Sequence, residues 1–240
     1  MRALVTGAAG RVGRALALRL AERGHDVAVH FNGSEAAAEE TAAAIRALGR
    51  RAATLRADLL DPQAAAALVP RAAETLGGPL AVLVNSASLF DRDRLETATA
   101  EAFQRHMGVH GLAPMLLTQA FAAQAPGPEE EGALVVNMID AGILHPGPDF
   151  FTYTLSKSVL VTLTRTAALA LAPRIRVNAI APGPTLPAPR QRPEHFAALR
   201  AGTPLGYGSD PDDLAGALDY LLGAKAVTGV VLPVDGGQHL

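Results

Sequence analysis

The chain alternates, from one end to the other, short apolar runs with longer alanine-rich segments of amphipathic character. Short continuous apolar runs are typical of parallel strands buried on both faces, and the longer segments are typical of the helices that cover them. Because two parallel strands need a crossover between them, this regular alternation predicts an α/β fold. We expect a doubly wound parallel sheet of seven strands with helices on both faces.

The predicted elements follow directly from this alternation. The candidate strands are Ala3–Thr6, Asp26–Phe31, Ala52–Arg56, Leu80–Asn85, Ala133–Met138, Arg176–Ile180 and Val230–Val234. The candidate helices are Arg11–Arg23, Ser34–Leu48, Pro62–Leu76, Ala100–Ala125, Phe151–Ala172 and Pro211–Leu222. With no linker or repeat to divide it, the chain is expected to form one domain over residues 1–240.

Composition excludes several classes of function. A net charge of −2 gives no electrostatic footprint for nucleic acid or an anionic membrane, and no apolar stretch reaches the roughly 20 residues of a membrane span. The absence of cysteine excludes disulfides and thiolate metal ligands, and no metal site is predicted. The chain begins with Met1 and runs at once into a strand, so we expect no signal peptide and a cytoplasmic location.

Tyr153 and Lys157 are the first candidate catalytic residues. Their spacing places a phenol and an ammonium one helical turn apart on one face. Only two of the 21 basic residues are lysines, so a lysine at this position indicates a site that needs a compact ammonium. Asp140 follows the fifth predicted strand, where sites of parallel sheets are built. These three residues form the predicted catalytic group.

A glycine-rich turn lies between the first strand and the first helix. It reads Thr6-Gly7-Ala8-Ala9-Gly10-Arg11-Val12-Gly13. In this context the backbone N–H groups and the helix N-terminus point at a phosphate, which predicts a Rossmann-type nucleotide site. A tight turn without a ligand is the alternative.

With this turn and the Tyr-x-x-x-Lys pair, the whole chain resembles the short-chain dehydrogenase/reductase family. Arg11 in place of the usual glycine, and Asp140 in place of the usual serine, are similar to its pteridine reductase-like subgroup. The resemblance implies an NADPH-dependent reductase in which Tyr153 donates a proton to a pterin-type substrate such as dihydrobiopterin, dihydromonapterin or dihydrofolate. Lys157 is expected to lower the pKa of the phenol and to bind the nicotinamide ribose.

Residues along the chain receive cofactor roles from this resemblance. The predicted cofactor-binding residues are Gly7, Arg11, Val12, Gly13, Asn32, Ser34, Asp58, Leu59, Asn85, Ala87, Lys157, Pro182 and Gly183. The second strand ends without an acidic residue to repel a 2′-phosphate, which favours NADPH over NADH. Gly33 stands where the resembled reductases carry an arginine.

The predicted substrate-binding residues come from the same resemblance. They are Arg11, Ser88, Phe90, Asp140, Tyr153 and Pro184. Phe90 is expected to sandwich a flat ring against the nicotinamide. His110 replaces a family asparagine that holds a relay water, and it serves either as a relay or as packing.

Several alternatives stay open from sequence. If Asp140 is incidental, a general carbonyl or 3-oxoacyl reductase is favoured; a noncatalytic NADP-binding regulator is a further alternative. The proline-rich segment at about 182–204 is predicted to be a substrate loop with a short helix at Glu194–Arg200, whose Arg190 and Arg192 face an acidic substrate tail or water. The acidic stretch Gly127–Gly132 is predicted to be a solvated turn. The resemblance also implies a homotetramer built through the long helices.

Overall fold

The structure is a computed structural model that describes residues 1–126, 132–187 and 191–240. The predicted turn at 127–132 lies outside the described residues except for Gly132, and Arg190 lies outside them altogether.

A seven-stranded, all-parallel sheet forms the centre of the molecule. The strands are β1 (Arg2–Val5), β2 (Asp26–Phe31), β3 (Ala52–Arg56), β4 (Val82–Asn85), β5 (Ala133–Met138), β6 (Ile175–Pro182) and β7 (Val231–Val234). Their order is β3-β2-β1-β4-β5-β6-β7. The predicted α/β fold class is therefore confirmed, and each strand boundary lies within about two residues of its prediction.

Helices cover both faces of the sheet. They are α1 (Arg11–Glu22), α2 (Glu35–Ala47), α3 (Pro62–Leu76), α4 (Ala100–Met107), α5 (Ala113–Gln124), α6 (Phe151–Leu171), α7 (Pro193–Ala201) and α8 (Pro211–Gly223). The predicted short helix of the proline-rich segment is confirmed as α7. Among the residues that the structure describes, no helix combines the length and apolarity needed to cross a bilayer.

Two apolar layers bury the sheet. One face packs against α1, α2 and α8 through side chains such as Leu16, Ile45 and Leu218. The other packs against α3 and α5 through Leu68 and Phe121, among others. Because both faces are covered, the strand ends are the edges of the sheet at which polar side chains can meet solvent and ligands.

The predicted single helix Ala100–Ala125 is wrong in one respect. It is interrupted by a π-helical turn at Gly108–Leu112. Pro114 has no N–H to donate to the carbonyl of His110, and its ring crowds that carbonyl, so the regular hydrogen-bond register cannot continue. Such π turns are frequent at functional sites, and this one carries His110 into the interior.

Candidate active site

The predicted site residues collect at the carboxyl ends of the central strands. The strand order reverses between β1 and β4, and this switch point opens a crevice in doubly wound sheets. The turn after β1, the loop after β4 and the end of β5 all meet there. The fold therefore brings sequence-distant residues of the predicted site to one edge.

Asp140 and Tyr153 are in direct contact. The Tyr153 hydroxyl donates a hydrogen bond of 2.8 Å to Oδ2 of Asp140, and Oδ1 of Asp140 accepts one of 2.7 Å from the Gly142 N–H. Lys157 lies one turn further along α6, with Nζ donating to the Met138 carbonyl at 2.8 Å. The carboxylate is thus held by a short helical turn, the phenol by α6 and the ammonium by the end of β5.

Burial governs the electrostatics of this group. Tyr153 is 7% exposed, and burial, followed by the charge of Asp140 and its hydrogen bond, raises the pKa of the phenol well above its ordinary value. Burial lowers the pKa of Lys157 to about 8, against the opposing charge of Asp140. The net shift of the phenol pKa is therefore upward, opposite in direction to the effect expected of Lys157. The phenol therefore keeps its proton and donates it in a hydrogen bond to the Asp140 carboxylate.

The start of α6 is fixed by a neighbouring loop rather than by its own cap. Phe150 precedes the helix with φ +58°, a left-handed conformation that costs a bulky residue energy, and it provides no side-chain cap. Asp93 substitutes for the cap, because its carboxylate accepts from both the N–H and the hydroxyl of Thr152. The position of Tyr153 thus depends on the loop before α4.

An aromatic wall stands beside the phenol. Phe90 stacks on Phe150 with ring centroids 4.3 Å apart and meets Tyr153 edge-on at 4.8 Å. Half of the Phe90 surface is exposed, so it can contact a further flat ring. Phe150 was missed from sequence; the Phe150-Phe151 pair, in a chain with only 4% aromatic residues, is the signal that marks it.

The glycine turn is tightly packed where the sequence requires glycine. A Cβ on Gly7 would lie 2.9 Å from Cα of Ala87, and one on Gly13 would lie 2.3 Å from the Gly7 carbonyl oxygen. The Thr6 hydroxyl accepts from the N–H groups of Ser86 and Ala87, which ties the turn to the loop after β4. Helix α1 then begins with no side-chain cap and no acidic residue in its first turn. Its N-terminus, including Val12, is free to receive an anion.

Arg11 adopts a left-handed backbone conformation. Its φ is +56°, a conformation in which glycine is the unstrained residue. Its guanidinium donates to the carbonyls of Leu186 at 3.2 Å and Pro187 at 2.9 Å. The structure thus joins the glycine turn to the predicted substrate loop through this one side chain.

Two variants of Arg11 separate strain from contact. Arg11→Gly and Arg11→Ala both remove the guanidinium, but only glycine relieves the left-handed backbone. We expect the glycine variant to be more stable than the alanine variant by about 1 kcal/mol in urea unfolding. Equal stabilities of the two variants would contradict a strained backbone at this position.

The predicted residues for the adenosine end lie on neighbouring strand ends. Asn32 and Ser34 are exposed after β2, and the Ser34 hydroxyl makes no capping bond to α2. Asp58 is exposed after β3, with its carboxylate accepting from the Leu60 N–H at 2.9 Å. The Leu59 side chain is buried in the core, so only its backbone faces this edge.

Asn85 is engaged with the sheet. Its amide nitrogen donates to Oδ1 of Asn137 at 2.8 Å, and Asn137 in turn donates to the Thr164 hydroxyl. The buried Oδ1 of Asn85 has no hydrogen-bond partner among the residues that the structure describes. This side chain therefore joins β4 to β5 and keeps one acceptor for a ligand or water.

The end of β6 is packed against the chain's last segment. Pro182 is the last residue of β6, and a Cβ on Gly183 would lie 2.6 Å from Cα of Asp235. Pro184 crowds Gly208 in the same way. Glycine at 183 lets the loop after β6 leave the sheet close to the crevice.

Both ring nitrogens of His110 have hydrogen-bond partners. Ser156 donates its hydroxyl to the Tyr153 carbonyl, so Nδ1 of His110 must donate to Ser156, at 2.8 Å. Nε2 then accepts from the Leu89 N–H at 3.3 Å and lies 2.9 Å from the Ser88 hydroxyl. Burial lowers the pKa of His110, with Lys157 adding to the effect. The neutral ring fastens the loop after β4 to α6, which favours a structural role over a relay.

His110 and His106 are a candidate pair of metal ligands because of their spacing in the chain. His106 and His110 stand four residues apart with stacked rings, 5.8 Å between centroids, a spacing that suits metal ligands on a helix. Both nitrogens of His110 are already engaged. Within residues 1–126, 132–187 and 191–240, no group of three or more potential ligands surrounds them.

His30 is a second buried histidine, and sequence reasoning missed it. It interrupts the apolar run of β2, accepts from the Gly7 N–H at Nδ1 (3.1 Å) and contacts the Ala57 carbonyl through Nε2 (3.1 Å). Burial lowers the pKa of His30 to about 4, with nearby Arg71 and Asp58 acting in opposite directions. The signal that marks it is a polar residue at the penultimate position of the strand, directly after the apolar run Val27–Val29.

A pH dependence of stability follows for His30. Its ordinary pKa in an unfolded chain is about 6.5, above the folded value, so the unfolded state binds the proton more readily and is favoured as the pH falls. Between about pH 6.5 and about pH 4, wild-type protein should lose about 3 kcal/mol of unfolding free energy that His30→Asn does not lose. Urea unfolding at several pH values checks this, and parallel curves for the two proteins would contradict it.

Known proteins resemble this chain over its whole length. Residues 7–239 match the family model described as Enoyl-(Acyl carrier protein) reductase. The crystal structure of FolM Alternative dihydrofolate reductase 1 from Brucella canis, complexed with NADP, superposes with a TM-score of 0.94 at 41% identity, covering 99% of this chain and 93% of that one.

Two curated relatives are similar to the chain at lower identity. L-rhamnose 1-dehydrogenase (NAD(P)(+)) from Sphingomonas sp. is 34% identical and covers 99% of this chain and 95% of its own length. The Granaticin polyketide synthase putative ketoacyl reductase 2 of Streptomyces violaceoruber is also 34% identical, over 99% of this chain and 96% of its own length.

Proposed function

The chain belongs to the short-chain dehydrogenase/reductase family of oxidoreductases, and from that premise we propose that it is an NADPH-dependent reductase of pterin-type rings. The observation that carries the proposal is the 2.8 Å hydrogen bond from the Tyr153 hydroxyl to the Asp140 carboxylate, beside the aromatic wall of Phe90 and Phe150. A carboxylate at this point suits a substrate that presents ring nitrogens, because it cannot donate a hydrogen bond to a ketone.

The residues at the switch point fit NADPH. The uncapped start of α1 supplies N–H groups for the pyrophosphate, with Gly7 and Gly13 leaving room for close approach. Asn32 and Ser34 are exposed at the adenosine end, and β2 ends there without a carboxylate that would repel a 2′-phosphate. Lys157 would hold the ribose of the nicotinamide, and Pro182 and Gly183 would border the nicotinamide ring. The similarity to a dihydrofolate reductase complexed with NADP supports this assignment.

Binding of a flat substrate follows from the aromatic wall. The exposed side of Phe90 stacks on one face of the ring, while Phe150 holds Phe90 from behind. Arg11, Ser88 and Pro184 are assigned to the same substrate space, from the glycine turn, the loop after β4 and the end of β6. The substrate loop proposed at about 182–204 belongs to a single cofactor-binding domain spanning residues 1–240, and the structure describes residues 182–187 and 191–204 of it.

The proposed chemistry passes a proton through the Tyr153 hydroxyl and the Asp140 carboxylate. NADPH, when bound, supplies the hydride to a carbon of the substrate's C=N bond. Tyr153 delivers its proton to the nitrogen of that bond, so that one C–H and one N–H bond form as the π bond is lost. The phenolate regains a proton through Asp140, which draws it from water. Lys157 stabilises the phenolate while it exists, since its ammonium lies 5.7 Å from the ring centroid.

A carbonyl reductase is the second candidate. The ketoacyl reductase and sugar dehydrogenase among the relatives favour it. For a ketone, however, a negative carboxylate would lie near the oxygen on which negative charge develops, which disfavours the transition state. The position of Asp140 beside Tyr153 therefore supports pterin reduction over ketone reduction.

Isotope transfer tests the proposed reaction. NADPH carrying deuterium at C4 of the nicotinamide is incubated with enzyme and dihydrobiopterin or dihydrofolate, and the product is examined by mass spectrometry. The proposal expects a tetrahydro product that carries one deuterium on a ring carbon. If the pterin is recovered unchanged and a ketone is rapidly labelled with deuterium under the same conditions, carbonyl reduction is favoured instead.

We also propose that the chain assembles into a homotetramer through α4, α5 and α6. A shallow apolar groove runs along the outer side of these helices. It is lined mainly by Phe103, Met107, Leu112, Met115, Val159 and Leu163. A second copy of the same chain would cover these side chains with its own apolar helices, as the family resemblance implies.

A charge placed in the groove tests this assembly. Val159→Glu should reduce the assembly to smaller species in sedimentation velocity, because an unpaired charge cannot be buried at low cost. Leu169→Glu is the matched control, since Leu169 lies on the same helix, outside the groove, and is well exposed. A wild-type monomer, or equal behaviour of the two variants, would contradict the proposal.

A further inference from the structure

His30 contacts the glycine turn through both its backbone and its ring. It is 2% exposed and lies one residue before the end of β2. Its carbonyl accepts the Ala8 N–H at 3.0 Å, and its Nδ1 accepts the Gly7 N–H at 3.1 Å. One residue of β2 therefore holds two consecutive amides of the turn that begins after β1.

These contacts determine where the ring carries its proton. The Gly7 N–H can only donate, so Nδ1 is the unprotonated nitrogen and Nε2 bears the hydrogen. Nε2 then donates to the Ala57 carbonyl at 3.1 Å. Ala57 directly precedes Asp58 at the end of β3. The ring thus connects the turn after β1 with the strand end at which the adenosine part is expected.

The turn has little freedom elsewhere. Gly7 is in a left-handed conformation with φ +65°, and a Cβ at this position would lie 2.9 Å from Cα of Ala87. On that side the Thr6 hydroxyl accepts from the N–H groups of Ser86 and Ala87. On the opposite side the contacts come from His30. Loss of Nδ1 leaves the Gly7 amide without an acceptor and lets the turn move away from β2.

We propose that His30 is a positioning residue for the nucleotide: through Nδ1 it holds the Gly7 amide so that the following N–H groups of the turn face the phosphates. This inference rests on the proposed NADPH-dependent function. It assigns no chemical step to His30, which acts only through the shape of the turn.

Two substitutions of similar size separate the two ring nitrogens. In His30→Asn the side-chain oxygen occupies the position of Nδ1 and keeps an acceptor for Gly7. In His30→Gln the amide nitrogen occupies the position of Nε2 and keeps the donor to Ala57. Both variants are first checked for native folding by circular dichroism. NADPH affinity is then measured by titration of its fluorescence, and kcat at saturating NADPH is measured beside it.

The proposal expects an asymmetric result. His30→Asn should bind NADPH within about threefold of wild type, whereas His30→Gln should bind about tenfold more weakly, with kcat at saturation unchanged. Equal affinities in the two variants would overturn the proposal, as would a loss of kcat at saturation.

Amide hydrogen exchange at Gly7, followed by NMR without cofactor, gives an independent readout. Protection should fall in His30→Gln and persist in His30→Asn; equal protection in the two would overturn the proposed contact even if neither variant binds NADPH. If wild-type protein fails to bind NADPH while the difference at Gly7 is present, the proposed function fails and the positioning of the turn stands.

Discussion

Tyr153→Phe is expected to lower kcat for dihydropterin reduction by about 10³-fold while leaving NADPH affinity unchanged. The substitution removes only the hydroxyl that donates to Asp140, and a positioned general acid contributes roughly 10² to 10⁴-fold to a rate. The ring itself remains, so its edge contact with Phe90 is preserved. Single-turnover kinetics with saturating NADPH measures the chemical step directly.

Tyr220→Phe is the matched control for this substitution. Tyr220 is exposed on α8, away from the crevice, so loss of its hydroxyl should leave the rate unchanged. If Tyr153→Phe retains more than about a tenth of wild-type kcat, the phenol is not the proton donor and the proposed role of Tyr153 is wrong.

Asp140→Asn is expected to reduce kcat/KM for dihydropterins by about 100-fold. Asparagine keeps the size of the side chain and can still accept from the Gly142 N–H, but it can neither bear the charge nor carry the proton that reloads the phenol. The charge of Asp140 also helps to raise the pKa of Tyr153, so this pKa should fall in the variant. Tyrosinate absorbance titrated against pH, compared with wild type, checks the second effect.

Asp140→Ser provides the contrasting substitution. Serine supplies a hydroxyl donor to a carbonyl and removes the negative charge, so ketone reduction should rise while pterin reduction falls. An Asp140→Asn variant with wild-type activity on dihydropterins, together with an unshifted phenol pKa, would remove Asp140 from the mechanism.

Much of the scaffold was predictable because its sequence signals are local and repeated. The apolar run of β5 and the amphipathic segment that became α6 each follow the period of their element, and the parallel sheet follows from their alternation. The contact between Asp140 and Tyr153 was also foreseeable. A residue at the end of a central strand and one in the first turn of the next helix converge at the same edge of the sheet.

Other features depend on contacts between distant segments that no local pattern encodes. Phe150 becomes part of the site only because it stacks on Phe90 from another loop. His30 holds the Gly7 amide only because the turn after β1 passes beside it. The amphipathic spacing predicts one continuous helix here. The π turn at Gly108–Leu112 arises because Pro114 breaks the regular hydrogen-bond pattern of that helix.

The direction of the phenol pKa shift is the most instructive difference. From sequence, the ammonium of Lys157 is the closest charged group along the helix, and attraction to it lowers a phenol pKa. In the folded chain the carboxylate of Asp140 is the group in hydrogen-bond contact, and the phenol is buried. Both of these effects raise the pKa, and neither depends on helical spacing.

The central claim is that this reductase acts on a pterin-type ring, and substrate preference tests it most directly. NADPH oxidation by the wild-type enzyme is measured with dihydrobiopterin, dihydrofolate and a panel of ketones at matched concentrations. We expect kcat/KM values for the pterins at least about 100-fold above those for any ketone, since only the pterins offer a ring nitrogen to the Asp140–Tyr153 pair. Reduction of ketones with no measurable turnover of either pterin would contradict it.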